Sequence, residues 1–125
     1  MLEKEYTKQN LRRLVIQFYT KVLDDELISP VFIGKLGADL AGATWGPHLD
    51  TITEFWASFT TGGSTYNGSP FAPHTQLGKL SREMFERWLK LFHETLDETY
   101  EPHLTKVLKD RSELIAGNFM RNLRL

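Results

Sequence analysis

The sequence predicts an all-α fold, and three observations predict it. Apolar residues recur at intervals of three and four along four long segments, the signature of helices with one buried face. No stretch alternates apolar and polar residues with the period of two that a half-buried strand needs. Capping and turn residues punctuate the chain where the helical period stops.

The first segment carries Leu11, Leu14, Val15, Phe18, Tyr19, Val22 and Leu23 on one face, with Asn10 placed to cap it, and it ends at Asp24-Asp25-Glu26. Ser29-Pro30 then reads as the cap and first residue of a very short helix bearing Val31, Phe32 and Ile33, followed by a loop marked by Gly34, Gly37 and Gly42. Thr44 can cap the next helix, whose first turn tolerates Pro47. Its inward series is Trp45, His48, Leu49, Ile52, Phe55, Trp56 and Phe59.

From Thr60 to Phe71 the helical period is lost. Gly62-Gly63, Tyr66-Asn67-Gly68 and Ser69-Pro70 are turn signals, and a loop of that length in a compact domain is often functional. Ser81 starts the strongest helix, with Glu83 in its first turn and Phe85, Trp88, Leu89, Phe92 and Leu96 facing one way. Glu101-Pro102 opens the last, with Leu104, Val107, Leu108, Ile115, Phe119 and Leu123 as its stripe, interrupted by Arg111 and Asn118.

Composition narrows the function. A chain of 125 residues suits one domain, residues 1–125, burying roughly two-thirds of its unfolded surface. With 15 basic and 16 acidic side chains and no basic run, a phosphate-tracking nucleic-acid module is not expected. The absence of cysteine excludes disulfides, thiolate zinc sites, thiol catalysis and iron–sulfur clusters. No stretch is apolar enough for a membrane span and Met1–Asn10 does not read as a secretory leader, so the expected address is the cytoplasm. The aromatic supply, at 12%, is rich for so short a chain and asks for a use.

Tyr19, His48 and Trp88 give that use a direction. Taken alone, Tyr19 reads as a core tyrosine with its hydroxyl at the surface, Trp88 as packing, His48 as a solvated or capping side chain, and His74 as a loop histidine. His93 and His103, beside charged residues, read as solvent-facing. Yet a phenol, an imidazole and an indole on stripes meant for burial each need a hydrogen-bond partner. If they face one space, that space suits a ligand with acceptor atoms. A metal held through imidazoles could use His48 and His74, but no His-Glu-x-x-His helix or carboxylate triad joins them. A lone axial histidine suffices when a macrocycle supplies the other ligands, as in haem. Phe18, Phe32, Ile52, Phe55, Phe71, Phe85 and Trp88 could then wall a flat apolar cofactor.

The pattern resembles the truncated haemoglobins, the short two-over-two globins, and within them the third group. Phe18-Tyr19, Pro30-Val31-Phe32, His48 with Phe55-Trp56, Tyr66-Asn67-Gly68, Pro73-His74 and Phe85-Glu86-Arg87-Trp88-Leu89-Lys90-Leu91-Phe92 carry the resemblance, in order and from about Leu11 to Leu123. The separations from His48 to Trp56 and from His74 to Trp88 agree as well. Gly62-Gly63, expected to end the third helix, departs from the group's pattern. Pro73 is a second departure, removing a backbone donor immediately before His74.

The resemblance implies a two-over-two helical sandwich holding haem b, with His74 as the axial ligand of a five-coordinate iron. It implies that Tyr19 and Trp88 are the distal hydrogen-bond donors, His48 a distal gate, Phe32 the haem-edge phenylalanine, Ile52 a contact on the distal haem face and Trp56 the pocket floor. The implied partners are the diatomic gases O2, NO and CO, with peroxide beside them. Donors aimed at a ligand that gains negative charge strengthen as the charge accumulates, so release is expected to be slow. That suits redox or NO/O2 detoxification chemistry, such as nitric oxide dioxygenase or peroxidase-like activity, more than bulk oxygen storage or transport. Catalysis would need a separate reductase, because no glycine-rich strand-to-helix turn binds flavin or nicotinamide. A gas-ligand sensor or carrier without turnover, and a cofactor-free helical interaction domain, are the competing expectations.

Overall fold

The computed structural model describes residues 1–61 and 80–125, and within them the only regular elements are helices: α1 (Lys8–Asp24), α2 (Ser29–Leu36), α3 (Trp45–Ala57), α4 (Arg82–Thr99) and α5 (Pro102–Asn122). Gly62-Gly63, Tyr66-Asn67-Gly68, Phe71 and Pro73-His74, with the roles expected of them, lie outside these residues. The α1–α3 pair packs on the α4–α5 pair through contact between α1 and α4, while α2 crosses against α1. The seam is apolar. Leu11, Leu14, Val15, Phe18 and Val22 of α1 are buried against Trp56, Phe92, Leu96 and Leu108, as the apolar stripes require. Among the described residues no helix is long and apolar enough to cross a membrane.

The helix starts differ from the sequence reading in instructive ways. Helix α1 begins earlier than expected: Thr7 is its cap, accepting from the Asn10 backbone N–H at 3.0 Å. Asn10 is the reciprocal member of the capping box, its Oδ1 accepting from the Thr7 N–H at 3.0 Å. The Asn10 side chain then does more than cap. Its Nδ2 donates to the Glu5 carbonyl at 3.0 Å, and its Oδ1 accepts the buried Tyr100 hydroxyl at 2.5 Å. Around this knot Glu3 forms an isolated bridge with Tyr100: the Glu3 N–H donates to the Thr99 carbonyl at 2.8 Å and the Glu101 N–H to the Glu3 carbonyl at 3.1 Å. Tyr6 meets Tyr100 edge-on at 5.1 Å and donates to the Leu104 carbonyl. The segment before α1 is thereby fastened across the α4–α5 corner.

Ser29 is not the cap of α2. Ile28 holds that position without a side-chain bond, and Pro30 sits in the first turn. The orphan N–H groups ahead of this turn go instead to Asp25, whose Oδ2 accepts from Leu27 and Ile28 at 3.0 and 3.1 Å. Thr44 precedes α3 but makes no capping bond. Helix α3 stops at Ala57, with Ser58 at its C-cap, so it ends before the glycines expected to end it. Ser81 does cap α4, its Oγ accepting from the Met84 N–H at 3.3 Å, and Glu101-Pro102 opens α5. Two side chains sit otherwise than the sequence implies. Val107 is 46% exposed. His93 is half-buried, with Nε2 3.3 Å from the Oγ of buried Ser112. His103 is exposed, as expected.

Candidate functional site

The aromatic stripes of α1, α2, α3 and α4 meet around Tyr19. Burial to 6% exposure comes from its place on the inner face of α1, next to Phe18, whose ring lies edge-on to it at 4.8 Å. From α2, Phe32 approaches Tyr19 at 5.5 Å; from α3, His48 approaches it at 6.2 Å. Trp88 of α4 lies near enough to the Tyr19 hydroxyl for its indole N–H to act on the phenol oxygen and favour its charged form. An indole N–H can only donate, so the phenol oxygen is the acceptor. The structure thus brings Tyr19, Phe32, His48 and Trp88 to one place.

Packing fixes Trp88 independently of that bond. Its indole stacks on Phe92 at 5.4 Å and 16°, and Phe18 meets it edge-on at 5.4 Å. Trp56 stacks on Phe92 at 4.8 Å and 22°, so Phe92 is layered with both tryptophans. Trp56 itself is 3% exposed. Ile52 is half-buried on α3, one turn beyond His48, and Phe32, Phe55 and Trp88 are half-buried as well. His74 lies outside the described residues.

Electrostatics at Tyr19 follow from its depth. Burial pushes the phenol well above its ordinary range, and the bond from Trp88 offsets this only in part. The hydroxyl stays neutral and keeps its proton to donate. Among the described residues, no cluster of three or more His, Asp or Glu side chains could hold a bare metal ion. The chemistry of the donor set does fit a haem: half-buried apolar faces at Phe32, Ile52, Phe55 and Trp88 for a flat ring, with neutral O–H and N–H donors for a small ligand above it.

Residues 6–118 match the family described as bacterial-like globin. The chain belongs to that family. A group 3 truncated haemoglobin of Campylobacter jejuni is 34% identical over 116 residues, covering 93% of this chain and 90% of the relative. The crystal structure of a group III truncated haemoglobin from Campylobacter jejuni superposes with a TM-score of 0.90 at 32% identity, covering 98% of this chain and 95% of that one. The globin therefore has the all-α truncated-globin fold, and family membership makes it a haem-binding protein for diatomic gases.

Three residues of this globin's site escaped sequence reasoning as site residues. Trp45 was legible only as an inward-facing residue. It is fully buried, lies 5.3 Å from Tyr19 and 5.5 Å from His48, and anchors its indole N–H on the Gly37 carbonyl at 2.8 Å. Gly37 has φ 88, a backbone state that favours glycine. Asp25 and Arg87 form a partly buried ion pair at 2.5 Å. Burial raises the Asp25 carboxyl, but the Arg87 bond, the Ile28 and Leu27 N–H groups and the Arg87 charge together hold it below its ordinary value. Arg87 had a signal, since it stands immediately before Trp88; its partner, on the turn between α1 and α2, had none.

Proposed function

We propose that this globin binds haem b through His74 and holds a diatomic ligand beneath two donors, Tyr19 and Trp88, for redox chemistry on small ligands. The observation that carries the proposal is the convergence of a buried neutral phenol and an indole N–H. Haem b supplies one-electron and dioxygen chemistry when bound. The chain's own residues do the rest. Tyr19 keeps its own proton to present to an acceptor ligand, while the single N–H of Trp88, directed at the Tyr19 oxygen, would turn to the ligand or be shared with it; aromatic packing holds both rings in place for this. His48, at the rim beside Trp45, gates entry to the space above Ile52, and Phe32 packs the ring's edge. Trp56 closes the floor.

Two donors on one ligand favour slow release, which suits consumption of the ligand over its delivery. Oxidation of nitric oxide by dioxygen to nitrate takes up one electron, so a separate reductase completes the cycle. The test begins with optical spectra of the haem-reconstituted protein in the ferric, ferrous and carbonyl states. A missing Soret band overturns the cofactor reading. His74→Gly is expected to abolish stable haem attachment, with recovery by added imidazole. Nitric oxide is then mixed with the dioxygen complex and nitrate is followed; absence of rapid nitrate formation refutes turnover and leaves a sensor or carrier.

A further inference from the structure

Asp25 occupies a junction. It is the C-cap of α1, its N–H donating to the Val22 carbonyl at 3.1 Å. Its Oδ2 takes the two N–H groups that lead into α2, and its own carbonyl accepts from the Ser29 N–H at 3.0 Å. Its Oδ1 takes Arg87 of α4 at 2.5 Å. The carboxylate side chain is 9% exposed, whereas the Arg87 side chain is 42% exposed. One buried carboxylate therefore ties together three helices, and each carries a residue of the site: Tyr19 on α1, Phe32 on α2, and Trp88 adjoining Arg87 on α4.

We infer that Asp25 and Arg87 are positioning residues that set the distance and angle between the Trp88 N–H and the Tyr19 hydroxyl, and so set how long the distal site keeps its ligand. Nothing else described between α1 and α4 near this end is an ion pair: Lys21 with Glu98, at 2.7 Å, spans the same two helices but from a residue far along α4 from Trp88. A hydrogen bond loses strength steeply with distance and angle. A small shift of α4 against α1 therefore changes the donor pair without removing either donor. Charge matters at this junction because a bidentate-capable guanidinium and a carboxylate already committed to two N–H groups define one geometry, which a neutral substitute does not.

The inference rests on the reading of Tyr19 and Trp88 as distal donors, and its test separates the two. Arg87→Met, Arg87→Lys and Asp25→Asn are compared with Arg12→Met, which breaks the surface ion pair of Arg12 with Asp50 between α1 and α3. The first readout is the Trp88 indole N–H resonance and its hydrogen-exchange rate in the full chain as purified, assigned with Trp88→Phe. The second is the C–O stretching frequency and the dioxygen release rate after haem reconstitution. Arg87→Met and Asp25→Asn are expected to shift the resonance, speed its exchange and raise dioxygen release about three- to tenfold. Arg87→Lys should recover part of each effect, and Arg12→Met should leave all of them at the parent values. An unmoved Trp88 resonance in folded Arg87→Met and Asp25→Asn overturns the positioning role, whether or not haem binds. A shifted resonance in protein that takes up no haem upholds the positioning while removing the distal-donor reading.

Discussion

Replacing Trp88 by phenylalanine isolates one proton. The indole ring is held by stacking on Phe92 at 5.4 Å and by the edge of Phe18 at 5.4 Å, and a phenyl ring retains much of both contacts. What disappears is the N–H. A hydrogen bond to an acceptor carrying charge contributes about 1.5–3 kcal/mol. Expressed wholly in dissociation, that is about one to two decades in rate. Carbon monoxide gathers less negative charge than dioxygen, so its bond falls in the neutral range of about 0.5–1.5 kcal/mol and its release should quicken by about tenfold at most. Stopped-flow displacement of each gas measures both. Tyr19→Phe should act in the same direction, because burial keeps the phenol neutral and able to donate. The double variant should fall short of the sum, since the two donors also bond each other. Unchanged dioxygen release in both single variants refutes the pocket assignment. Equal acceleration of the two gases refutes hydrogen bonding as the cause and assigns the effect to packing.

Other expectations concern the frame. Asn10→Ala removes one half of the capping box and strands the buried Tyr100 hydroxyl, so urea unfolding should show a loss of about 2–4 kcal/mol, against about 1 kcal/mol for Tyr100→Phe. A loss under half a kcal/mol in Asn10→Ala would mean the knot is solvated. Asp25 is held below its ordinary 3.8 in the fold, so it contributes stability that is present above that pH and is lost as acid reaches the folded value. Asp25→Asn should lower stability at neutral pH and shallow the acid limb of the unfolding curve. His93 acts in the same direction in a higher window: burial lowers it below 6.5, the unfolded chain takes up the proton first, and stability falls as pH drops through 6.5. His93→Gln should flatten that slope, and a slope unchanged by the substitution assigns it to another group.

The four long helices are legible because each has a single apolar face longer than two turns, and period alone fixes such a face. Burial of Phe18, Leu49, Trp56, Phe92, Leu96 and Leu108 follows directly from it. Helix starts were less legible. Asn10 looks like a cap because its side chain is of the capping type; the competing Thr7, three residues earlier, wins because the reciprocal pair satisfies two N–H groups at once. Val107 fits a spacing of three from Leu104 yet is exposed, since it stands about 100° around α5 from Leu108, away from the face that buries Leu108, Ser112, Ala116 and Phe119. From its charged neighbours alone, His93 reads as solvated. Its true neighbour, Ser112, lies on another helix, and no local signal reports that. The site shows the same division. Tyr19, Phe32, His48 and Trp88 could be named from residue type and order along the chain. Trp45 as their buttress and the Asp25–Arg87 tie depend on which carbonyl or carboxylate the tertiary fold delivers, and sequence spacing is silent on both.

The choice of donors has a consequence for pH. An indole N–H does not titrate in water's range, and burial moves the Tyr19 phenol further above an ordinary value of 10.0. Neither donor changes protonation between about pH 6 and about pH 9. A site built from a histidine donor alone would behave otherwise, because imidazole changes charge within that span. Dioxygen release governed by Tyr19 and Trp88 is therefore expected to be flat with pH over that range, and the accelerations in Trp88→Phe and Tyr19→Phe to be the same at each end of it. A gating contribution from His48 is separable, since His48→Leu should change the rate of gas entry while leaving the release profile flat. Release that quickens toward pH 9 in the parent protein and becomes level in Tyr19→Phe would show that the phenol ionises within the working range. The hydroxyl would then be solvated, and the neutral-donor account of slow release would fail with it.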